Sequence, residues 1–360
     1  MRTILGPFHP DLEDALVDEI LRYKEADLFC PLLIVVPSDL LRRRLKILLG
    51  RERRLALLNV QVLTFYQLAL RLYGENSGAE LEMRGDLFLE EAVRQMIRTG
   101  QPGAERFATI ENRAGGCAAL WQTLRDLRDG LVEPAVALEA LREGHFSQRA
   151  SARTSELLRL LVTLQQFCRD QTIADQSDLF RAATERVAGA RFVKSFAQIF
   201  YYGFYDLTQI QSDFFHAVAR HYPTTLFFPF APTHPPHAAW QFAARFYERY
   251  VQGLNSETVI APQASLPPHG RLFDESERSE YRAYAKHWHC KIVSSFGMED
   301  EVAAAAKEIL RLVDDDKYRF DEIAVVARSL DNYGAAIQRI LADHFIPTAG
   351  VFETPLVELP

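Results

Sequence analysis

The hydrophobic residues at the start of the chain fall into short apolar runs separated by helix-like stretches. The runs RTILG, PLLIVV and VQVLTF carry few polar residues, which is typical of strands buried on both faces of a parallel sheet. Between them, LEDALVDEILRYKEAD and DLLRRRLKILLG repeat apolar residues with the period of an amphipathic helix. Strands that alternate with helices predict an open α/β sheet.

A long helical block interrupts this pattern. From residue 66 to about residue 190, helical periodicity replaces the strand pattern, as in ELEMRGDLFLEEAVRQMIRTG and SARTSELLRLLVTLQQFCRD. Apolar runs return with FAQIFYYGF and TTLFFPF. We therefore predict that residues 1–65 and 191–265 form one α/β domain and that residues 66–190 are a helical insertion in it. The strands at 60–64 and 198–203 are then expected to share a sheet.

The remaining residues predict a linker and a second α/β unit. Residues 266–288 lack periodicity and contain Pro and Gly, as linkers do. Residues 289–360 contain the apolar runs CKIVSSFG, EIAVVAR and IPTAG, separated by the helical stretches EDEVAAAAKEILRLV and NYGAAIQRILADH. Because the sequence stops soon after this unit begins to build a sheet, we expect the intact protein to continue beyond residue 360.

Composition restricts the class of protein. Hydrophobic residues make up 48% and charged residues 25% of the chain, as in ordinary soluble proteins. No apolar run approaches the roughly 20 residues of a membrane span, and the N-terminus has no signal-peptide core. Four cysteines lie far apart without a CxxC pair, which indicates reduced thiols in a cytoplasmic protein. The formal net charge of −7 neither supports nor excludes nucleic-acid binding.

Basic residues are concentrated in one short segment, which we call the basic run. Between residues 42 and 54 only Glu52 is acidic, and the cations are Arg42, Arg43, Arg44, Lys46, Arg51, Arg53 and Arg54. On a helix and its exit loop these side chains are able to neutralise several DNA phosphates. The alternative is a solvated helix face that forms ion pairs with acidic residues of neighbouring helices.

The order of the elements resembles that of superfamily 1 helicases of the UvrD/RecB type, in which a helical insertion splits a P-loop-type α/β motor domain and a second α/β domain follows. The similarity is closest to AddB-like subunits, whose motor has decayed. The segment VLTFYQLALRLYG resembles the helicase motif T-F-H-S-(F/L), which touches single-stranded DNA at a strand end. The resemblance therefore implies DNA contacts by Thr64, Phe65 and Tyr66, by Ser38 at the preceding strand end, and by the adjacent Arg42–Arg44.

The two aromatic residues of this motif have two interpretations. An aromatic ring at a strand end offers a stacking face worth about 1–3 kcal/mol per base. The alternative is that Phe65 is a core residue and that Tyr66 only begins a helix.

The phosphate-binding loop of the family is degenerate in this chain. Active helicases carry G-x-x-x-x-G-K-(S/T) between the first strand and helix, where backbone amides and the Lys hold phosphates. Here Gly6 remains, but Asp11, Leu12 and Glu13 stand at the positions of the second Gly, the Lys and the Ser/Thr. Acidic side chains at this turn repel a polyphosphate.

Two further nucleotide motifs are also replaced. The segment IFYYGFYDLTQIQSDFF aligns with the Walker B motif, with Tyr202 and Gly203 in place of the Mg²⁺-holding Asp and the water-activating Glu; Asp206 and Gln211 keep the structural positions. The strand end at Pro229–Phe230 replaces the nucleotide-sensing G-D-x-x-Q. Phosphoryl transfer needs the carboxylate pair, so we predict that the chain neither binds nor hydrolyses ATP.

The candidate metal ligands lack the spacing of a metal site. They lie in THPPH and KHWHC without a second ligand pair at zinc spacing, so no metal site is predicted; the residues are His234, His237, His287, His289 and Cys290.

One segment and one further residue of the second unit resemble parts of functional motifs. Asp315–Lys317 has the D-x-K pattern of PD-(D/E)xK nucleases, but acidic residues are expected in such a turn. Arg328 stands at the position of a helicase-motif arginine, and we interpret it as part of a surface or inter-domain ion pair.

These patterns predict a catalytically inactive, helicase-like DNA-binding and scaffold module of a complex that processes double-strand breaks for recombinational repair. The resemblance implies an AddA-like active helicase/nuclease subunit as partner, single-stranded or duplex-end DNA as ligand, and a nuclease domain beyond residue 360, often with an iron–sulfur cluster. This chain itself is expected to need no cofactor and to lack ATPase, helicase and nuclease activity. The alternatives are a protein-interaction module that does not contact DNA and an active NTPase, which the Gly6–Asp14 turn disfavours.

Overall fold

The computed structural model describes most of the chain, and its contacts divide the chain into two compact units, Met1–Glu275 and Ser276–Pro360. The described residues are 1–75, 82–113, 115–143, 148–230, 241–254, 257–261, 291–327 and 329–350.

The strands of the first unit form one large sheet and one short pair. They are β1 (Arg2–Gly6), β2 (Leu32–Val36), β3 (Val60–Thr64), β4 (Glu82–Met83), β5 (Ile173–Ala174), β6 (Gln198–Tyr202), β7 (Thr224–Pro229) and β8 (Glu257–Ile260). The large sheet has the order β3-β2-β6-β7-β1-β8, and all of its strand pairs are parallel. The short pair joins β4 to β5.

The described helices connect these strands and complete both units. They are α1 (Glu13–Ala26), α2 (Asp39–Ile47), α3 (Phe65–Gly74), α4 (Asp86–Arg98), α5 (Gly116–Asp129), α6 (Pro134–Arg142), α7 (Gln148–Asp170), α8 (Gln176–Arg186), α9 (Arg191–Lys194), α10 (Gln209–His221), α11 (Gln241–Phe246), α12 (Met298–Asp314) and α13 (Leu330–Asp343). Among the helices described, none has both the length and the apolar character that a membrane crossing requires.

Both faces of the large sheet are covered, which explains why its central strands are apolar throughout. In β2, Leu33 and Val35 belong to one hydrophobic core, and Ile34 and Val36 belong to the core on the opposite face. Every residue of β2 and β6 is buried. Strand β2 pairs with β3 on one side and with β6 on the other. The predicted α/β class and the shared sheet of the 60–64 and 198–203 strands are therefore confirmed.

The helical block does not pack as a single body. Its first and last long helices, α3 and α8, contribute to the core of the large sheet through residues such as Leu68 and Phe180. Helices α4, α5 and α7 form a separate core, which includes Leu89, Trp121 and Leu164. Two long helices of the predicted insertion thus cover the sheet, and the separate core lies between them in sequence.

The edge strand β8 lies within the residues 191–265 assigned to the α/β domain, but no apolar run predicts it. It pairs with β1, and most of its side chains are exposed. Because an edge strand with exposed residues needs no apolar run, its sequence gives no strand pattern.

In the second unit, α12 and α13 pack together through Val302, Ala306, Ile309 and Ile337. The strands predicted from CKIVSSFG, EIAVVAR and IPTAG are wrong in the described part of these segments, because residues 291–296, 323–327 and 346–350 are not paired in a sheet there. A β-strand requires a hydrogen-bonded neighbour, and hydrophobicity alone does not provide one.

Candidate nucleic-acid interface

The parallel strands bring the predicted functional residues to one side of the sheet. Residues that follow the carboxyl ends of the strands share one edge, where ligands of open α/β sheets bind. We call the positions directly after β1, β2, β3, β6 and β7 the carboxyl edge. The degenerate phosphate loop follows β1, Ser38 follows β2, and Tyr66 follows β3. The predicted DNA residues and the degenerate nucleotide turn therefore lie on the same edge.

Two hydroxyl groups of the predicted site cap helices. The Thr64 hydroxyl accepts a hydrogen bond from the Gln67 backbone N–H at 3.2 Å, and the Gln67 side-chain oxygen accepts one from the Thr64 N–H at 3.0 Å. This reciprocal pair fixes the start of α3. Ser38 accepts from the Leu41 N–H at 3.2 Å and starts α2 in the same way. Thr64 is buried, whereas Ser38 is exposed.

Phe65 is a core residue, which corrects the expected DNA contact. Only 4% of its surface is exposed. Its ring lies between 5.0 and 6.0 Å from the rings of Phe180, Tyr201, Phe204 and Phe214, measured between centroids. These neighbours leave no ring face free for a nucleobase. The physical reason is that α3 begins at Phe65 and directs this side chain into the core of the sheet.

Tyr66 points the other way and borders an open cleft. Its side chain is 37% exposed. The cleft has a volume of about 780 Å³ and lies between the carboxyl edge and the helices α4, α5 and α8. Trp121 and Arg125 line the opposite wall, where both donate to Asp86, at 3.0 and 2.7 Å. Of the two aromatic residues in the motif, Tyr66 has the accessible ring.

Two other aromatic residues at this edge were not predicted from the sequence. Tyr205, three residues after β6, is 56% exposed, and Phe8, two residues after β1, is 36% exposed. Leu40, after β2, is also exposed. The position of Tyr205 shortly after a predicted strand would have indicated an aromatic residue at this edge. The Walker B resemblance concerned only the earlier positions Tyr202 and Gly203.

The arginines predicted to contact DNA form ion pairs within the protein. Arg42 and Arg43 both bind Asp39, at 2.5 and 2.8 Å, and hydrogen bonding to Arg42 lowers the pKa of that carboxyl group. Arg44 binds Glu52, and this hydrogen bond lowers the pKa of Glu52. These three arginines are thus paired within the protein, mainly with carboxylates of α2 and the turn after it and, for Arg44 alone, also with Glu13 of the neighbouring helix α1 at 3.9 Å.

The degenerate phosphate loop is occupied by its own side chains. Residues Phe8–Leu12 form a tight π-type turn in which Leu12 is completely buried. Asp11 is also buried. Glu13 is buried and lies 2.9 Å from the His9 imidazole Nδ1. The turn thus holds carboxylates and an apolar side chain at the positions that the sequence alignment predicts to be those of the phosphate-binding groups.

The two residues aligned with the catalytic Walker B positions, Tyr202 and Gly203, lie next to this turn. The Tyr202 ring is fully buried, its centroid lies 5.1 Å from that of Phe8, and burial raises the pKa of its phenol. Gly203 has a left-handed backbone with φ of +83°. A Cβ atom at Gly203 would lie 2.4 Å from Leu41 Cδ2, so α2 packs into the space that a longer side chain needs.

The other two residues aligned with the Walker B motif, Asp206 and Gln211, differ in their surroundings. Asp206 is exposed, and Gln211 accepts a hydrogen bond from the Thr208 N–H at 3.1 Å at the start of α10. Of the Pro229–Phe230 pair, Pro229 is buried as the last residue of β7, and Phe230 follows it at the carboxyl edge.

A buried ion-pair network lies beside the cleft and was not predicted. Arg128 of α5 donates to Asp175 at 3.0 Å and to Asp178 at 2.6 Å. Asp175 also caps α8. Burial raises the pKa of Asp175 to about 6, although Arg128 acts in the opposite direction. The network connects α5, which belongs to the separate helical core, to α8, which covers the sheet.

Several residues considered in the sequence lie outside the described part of the chain, namely His234, His237, His287, His289, Cys290 and Arg328. Within the described ranges, no group of three or more His, Cys, Asp or Glu side chains is arranged to hold a metal ion. In the Asp315–Lys317 turn, Asp316 pairs with Arg311 at 3.0 Å and the Lys317 ammonium donates to the Asp314 carbonyl.

Comparison with known proteins identifies similar chains. No protein-family model matches. The B subunit of the ATP-dependent helicase/deoxyribonuclease of Symbiobacterium thermophilum is 26% identical over 392 residues, which cover 100% of this chain and 33% of that protein. The corresponding protein of Anoxybacillus flavithermus is 23% identical over 371 residues, with 96% and 31% covered. That of Desulforamulus reducens is 25% identical over 325 residues, with 83% and 28% covered.

The chain thus spans about a third of the length of the curated relatives it matches. The matches confirm the resemblance to AddB-type subunits that the motifs predicted.

Proposed function

From its similarity to AddB-type subunits over the whole chain, we propose that this protein is a catalytically inactive, helicase-like module that binds single-stranded DNA along the carboxyl edge of its sheet. The intact protein would act in a helicase–nuclease complex that processes double-strand breaks. The α/β sheet with its helical insertion fits the superfamily 1 motor architecture that this proposal assumes.

The packing of the nucleotide turn supports the absence of ATP hydrolysis. Phosphate binding at a strand–helix turn requires free backbone N–H groups and space for the phosphates. Here Leu12 and Tyr202 are buried at the turn, and Leu41 lies against Gly203. Mutating only one of these residues to the residue of an active helicase therefore leaves the space for the phosphates occupied by the other side chains.

The observation that carries the DNA-binding proposal is the pair of accessible rings, Tyr66 and Tyr205, after β3 and β6. Strand β2 lies between these strands, and neighbouring strands are about 4.8 Å apart, so the two strand ends are roughly 10 Å apart. A single strand laid across the edge therefore meets both rings. Stacking on such rings tolerates any base sequence.

The names of the relatives support a partner. Each of three relatives is named as the B subunit of an ATP-dependent helicase/deoxyribonuclease. We propose that the intact protein assembles with an AddA-like subunit that supplies ATP-driven translocation, and that their substrate is single-stranded or duplex-end DNA.

One observation favours the alternative, a protein-interaction module. Leu40 at the carboxyl edge is 79% exposed, and Phe65 has become a core residue. An exposed aliphatic side chain suits a protein contact better than a nucleobase. The alternative predicts partner binding by this edge without affinity for DNA.

Fluorescence anisotropy with a labelled single-stranded oligonucleotide tests the proposal. Tyr66→Ala and Tyr205→Ala are each expected to weaken binding by roughly five- to hundredfold, since stacking contributes about 1–3 kcal/mol per base. The slope of affinity against salt concentration should stay nearly unchanged, because no phosphate contact is lost. Tyr66→Phe keeps the ring and should keep most of the affinity.

Phe242→Ala removes an exposed ring from α11 and is the control for loss of any surface aromatic residue. Parental affinity in both tyrosine-to-alanine variants would refute stacking at this edge. A parental chain that binds the AddA-like partner and no DNA would favour the alternative.

A further inference from the structure

The cations of the basic run fall into two sets with different surroundings. In the paired set, each side chain is held by a carboxylate; the members are Arg42, Arg43, Arg44 and Arg53. In the free set, consisting of Lys46, Arg51 and Arg54, the side chains have no ion pair or hydrogen bond with any residue that the structure describes, and all three are exposed.

The local fold explains this division. Leu45, Leu48 and Leu49 are buried against the sheet and Leu41 packs partly against the same core, whereas Lys46, Arg51 and Arg54 face solvent. The acidic side chains near the run are already used: Asp39 binds Arg42 and Arg43, and Glu52 binds Arg44.

Arg53 binds Asp14 of α1, which removes one more carboxylate from the surroundings of the free set. Lys46, Arg51 and Arg54 therefore form no ion pair with a carboxylate of the described residues, and of the three only Arg51 helps to lower the pKa of Glu52 through its charge. The whole chain carries a formal charge of −7, so this local excess of cations contrasts with the rest of the molecule.

The difference matters for a polyanion. A paired arginine must share or leave its carboxylate before it contacts a phosphate, and the carboxylate then repels the phosphate. A free cation loses no protein contact, and its phosphate contact releases condensed counterions.

We infer that Lys46, Arg51 and Arg54 contact the sugar–phosphate backbone of DNA, and that the paired arginines hold α2 and its exit turn in place. This assignment rests on the proposed function, because it presumes that the chain binds DNA. The sequence predicted that Arg42–Arg44 contact DNA, and this assignment gives the phosphate contacts to Lys46, Arg51 and Arg54 instead.

The test compares three variants of the full chain in anisotropy titrations at several salt concentrations. The first is Lys46→Gln/Arg51→Gln/Arg54→Gln. The second, Arg44→Gln/Glu52→Gln, removes the ion pair between these two residues and the longer contact of Arg44 with Glu13, and it leaves the net charge unchanged.

The third variant, Arg106→Gln/Arg181→Gln/Lys194→Gln, removes three exposed cations that are scattered over the first unit. These three have no ion pair with a described residue, which makes them a matched control for total charge.

The free-set variant should lose roughly ten- to hundredfold in affinity at low salt, and its salt slope should fall by about 0.7 per lost contact on a single strand and about 0.9 on a duplex. Single-stranded and duplex oligonucleotides therefore show which form of the backbone is bound. The Arg44/Glu52 and scattered variants should keep the parental slope. Circular dichroism should show parental folding, since the exchanged side chains of the free set make no ion pair or hydrogen bond with a described residue.

A parental affinity and slope in the free-set variant would overturn the assignment, as would an equal loss in the scattered variant. An equal fall in slope in the Arg44/Glu52 variant would return the contact to the paired set and contradict the inference. If the parental chain itself bound no DNA, the proposed function would fail with it, and that outcome is recognisable before any variant is compared.

Discussion

Phe65 and Tyr66 are adjacent aromatic residues with opposite environments. Because α3 begins at Phe65, the side chain of Phe65 points into the core and that of Tyr66 faces the cleft. The sequence motif places both residues at a strand end, but only tertiary packing determines which ring is accessible. A motif therefore predicts the position of this site better than it predicts the individual contact residues.

Phe65→Ala is expected to lower the free energy of unfolding by about 3–5 kcal/mol, the usual effect of removing a buried phenylalanine ring. Urea denaturation measures the change. Tyr66→Ala is the matched control and should change stability by less than about 1 kcal/mol, since its side chain is partly exposed. A small effect of Phe65→Ala would show that the ring is not packed in the core.

Asp175 should make stability depend on pH. Burial raises its pKa to about 6, above the value of about 3.9 for an unfolded chain. The carboxyl group therefore contributes most to stability below about pH 4, and this contribution is lost as the pH rises through 6. In Asp175→Asn the side chain stays neutral at every pH, while Asp178 still pairs with Arg128.

The variant is thus expected to be more stable than the parent at pH 7, by at most about 3 kcal/mol, and to match it near pH 4. Urea titrations of both proteins from pH 4 to 7.5 measure the difference. A difference that does not vary with pH would contradict the shifted pKa.

At the scale of elements, the apolar strands were predictable and the others were not. Strands β1, β2, β6 and β7 are buried along almost their whole length, and the edge strand β3 buries Val62 and Thr64, so each has an apolar run. Strand β8 is exposed at an edge and has no such run. In the second unit the apolar runs exist without paired neighbours in the described residues, which hydrophobicity cannot reveal.

The candidate site was predictable to a similar degree. The proposed loss of nucleotide binding rests on residue types alone, which the sequence gives directly. The division of the basic run does not, because it depends on Asp39, Glu52 and Asp14, and Asp14 comes from a different helix. Ion pairs between elements require the three-dimensional arrangement.

The contact between α2 and the Walker B position makes a prediction for Gly203. Gly203→Ala should lower the free energy of unfolding by about 1–2 kcal/mol, because an L-residue is strained at its left-handed backbone and the added Cβ meets Leu41. The control is Gly74→Ala, where nothing lies within 4 Å of the new Cβ. This helical change should be neutral or stabilising by up to about 1 kcal/mol.

Thermal or urea denaturation of the two alanine variants provides the comparison. Equal stability of both would mean that Leu41 and the backbone at Gly203 accommodate a side chain, and that the Walker B space is less filled than the structure indicates.

At the scale of the whole first unit, one edge of the sheet combines a turn after β1 in which Leu12 is buried with the accessible rings of Tyr66 and Tyr205. A motor domain couples its DNA affinity to the nucleotide that it binds. In this chain, we propose that DNA binding persists without that coupling. The chain would then serve as a fixed DNA contact beside a partner that moves.

The most direct test is the affinity of the full chain for a labelled single-stranded oligonucleotide, measured by anisotropy with and without Mg²⁺-ATP. We predict salt-dependent binding whose dissociation constant is the same in both conditions, because Leu12, Tyr202 and Leu41 fill the nucleotide turn. An affinity that changes with Mg²⁺-ATP would contradict the loss of nucleotide binding, and absence of DNA binding in both conditions would contradict the proposed function.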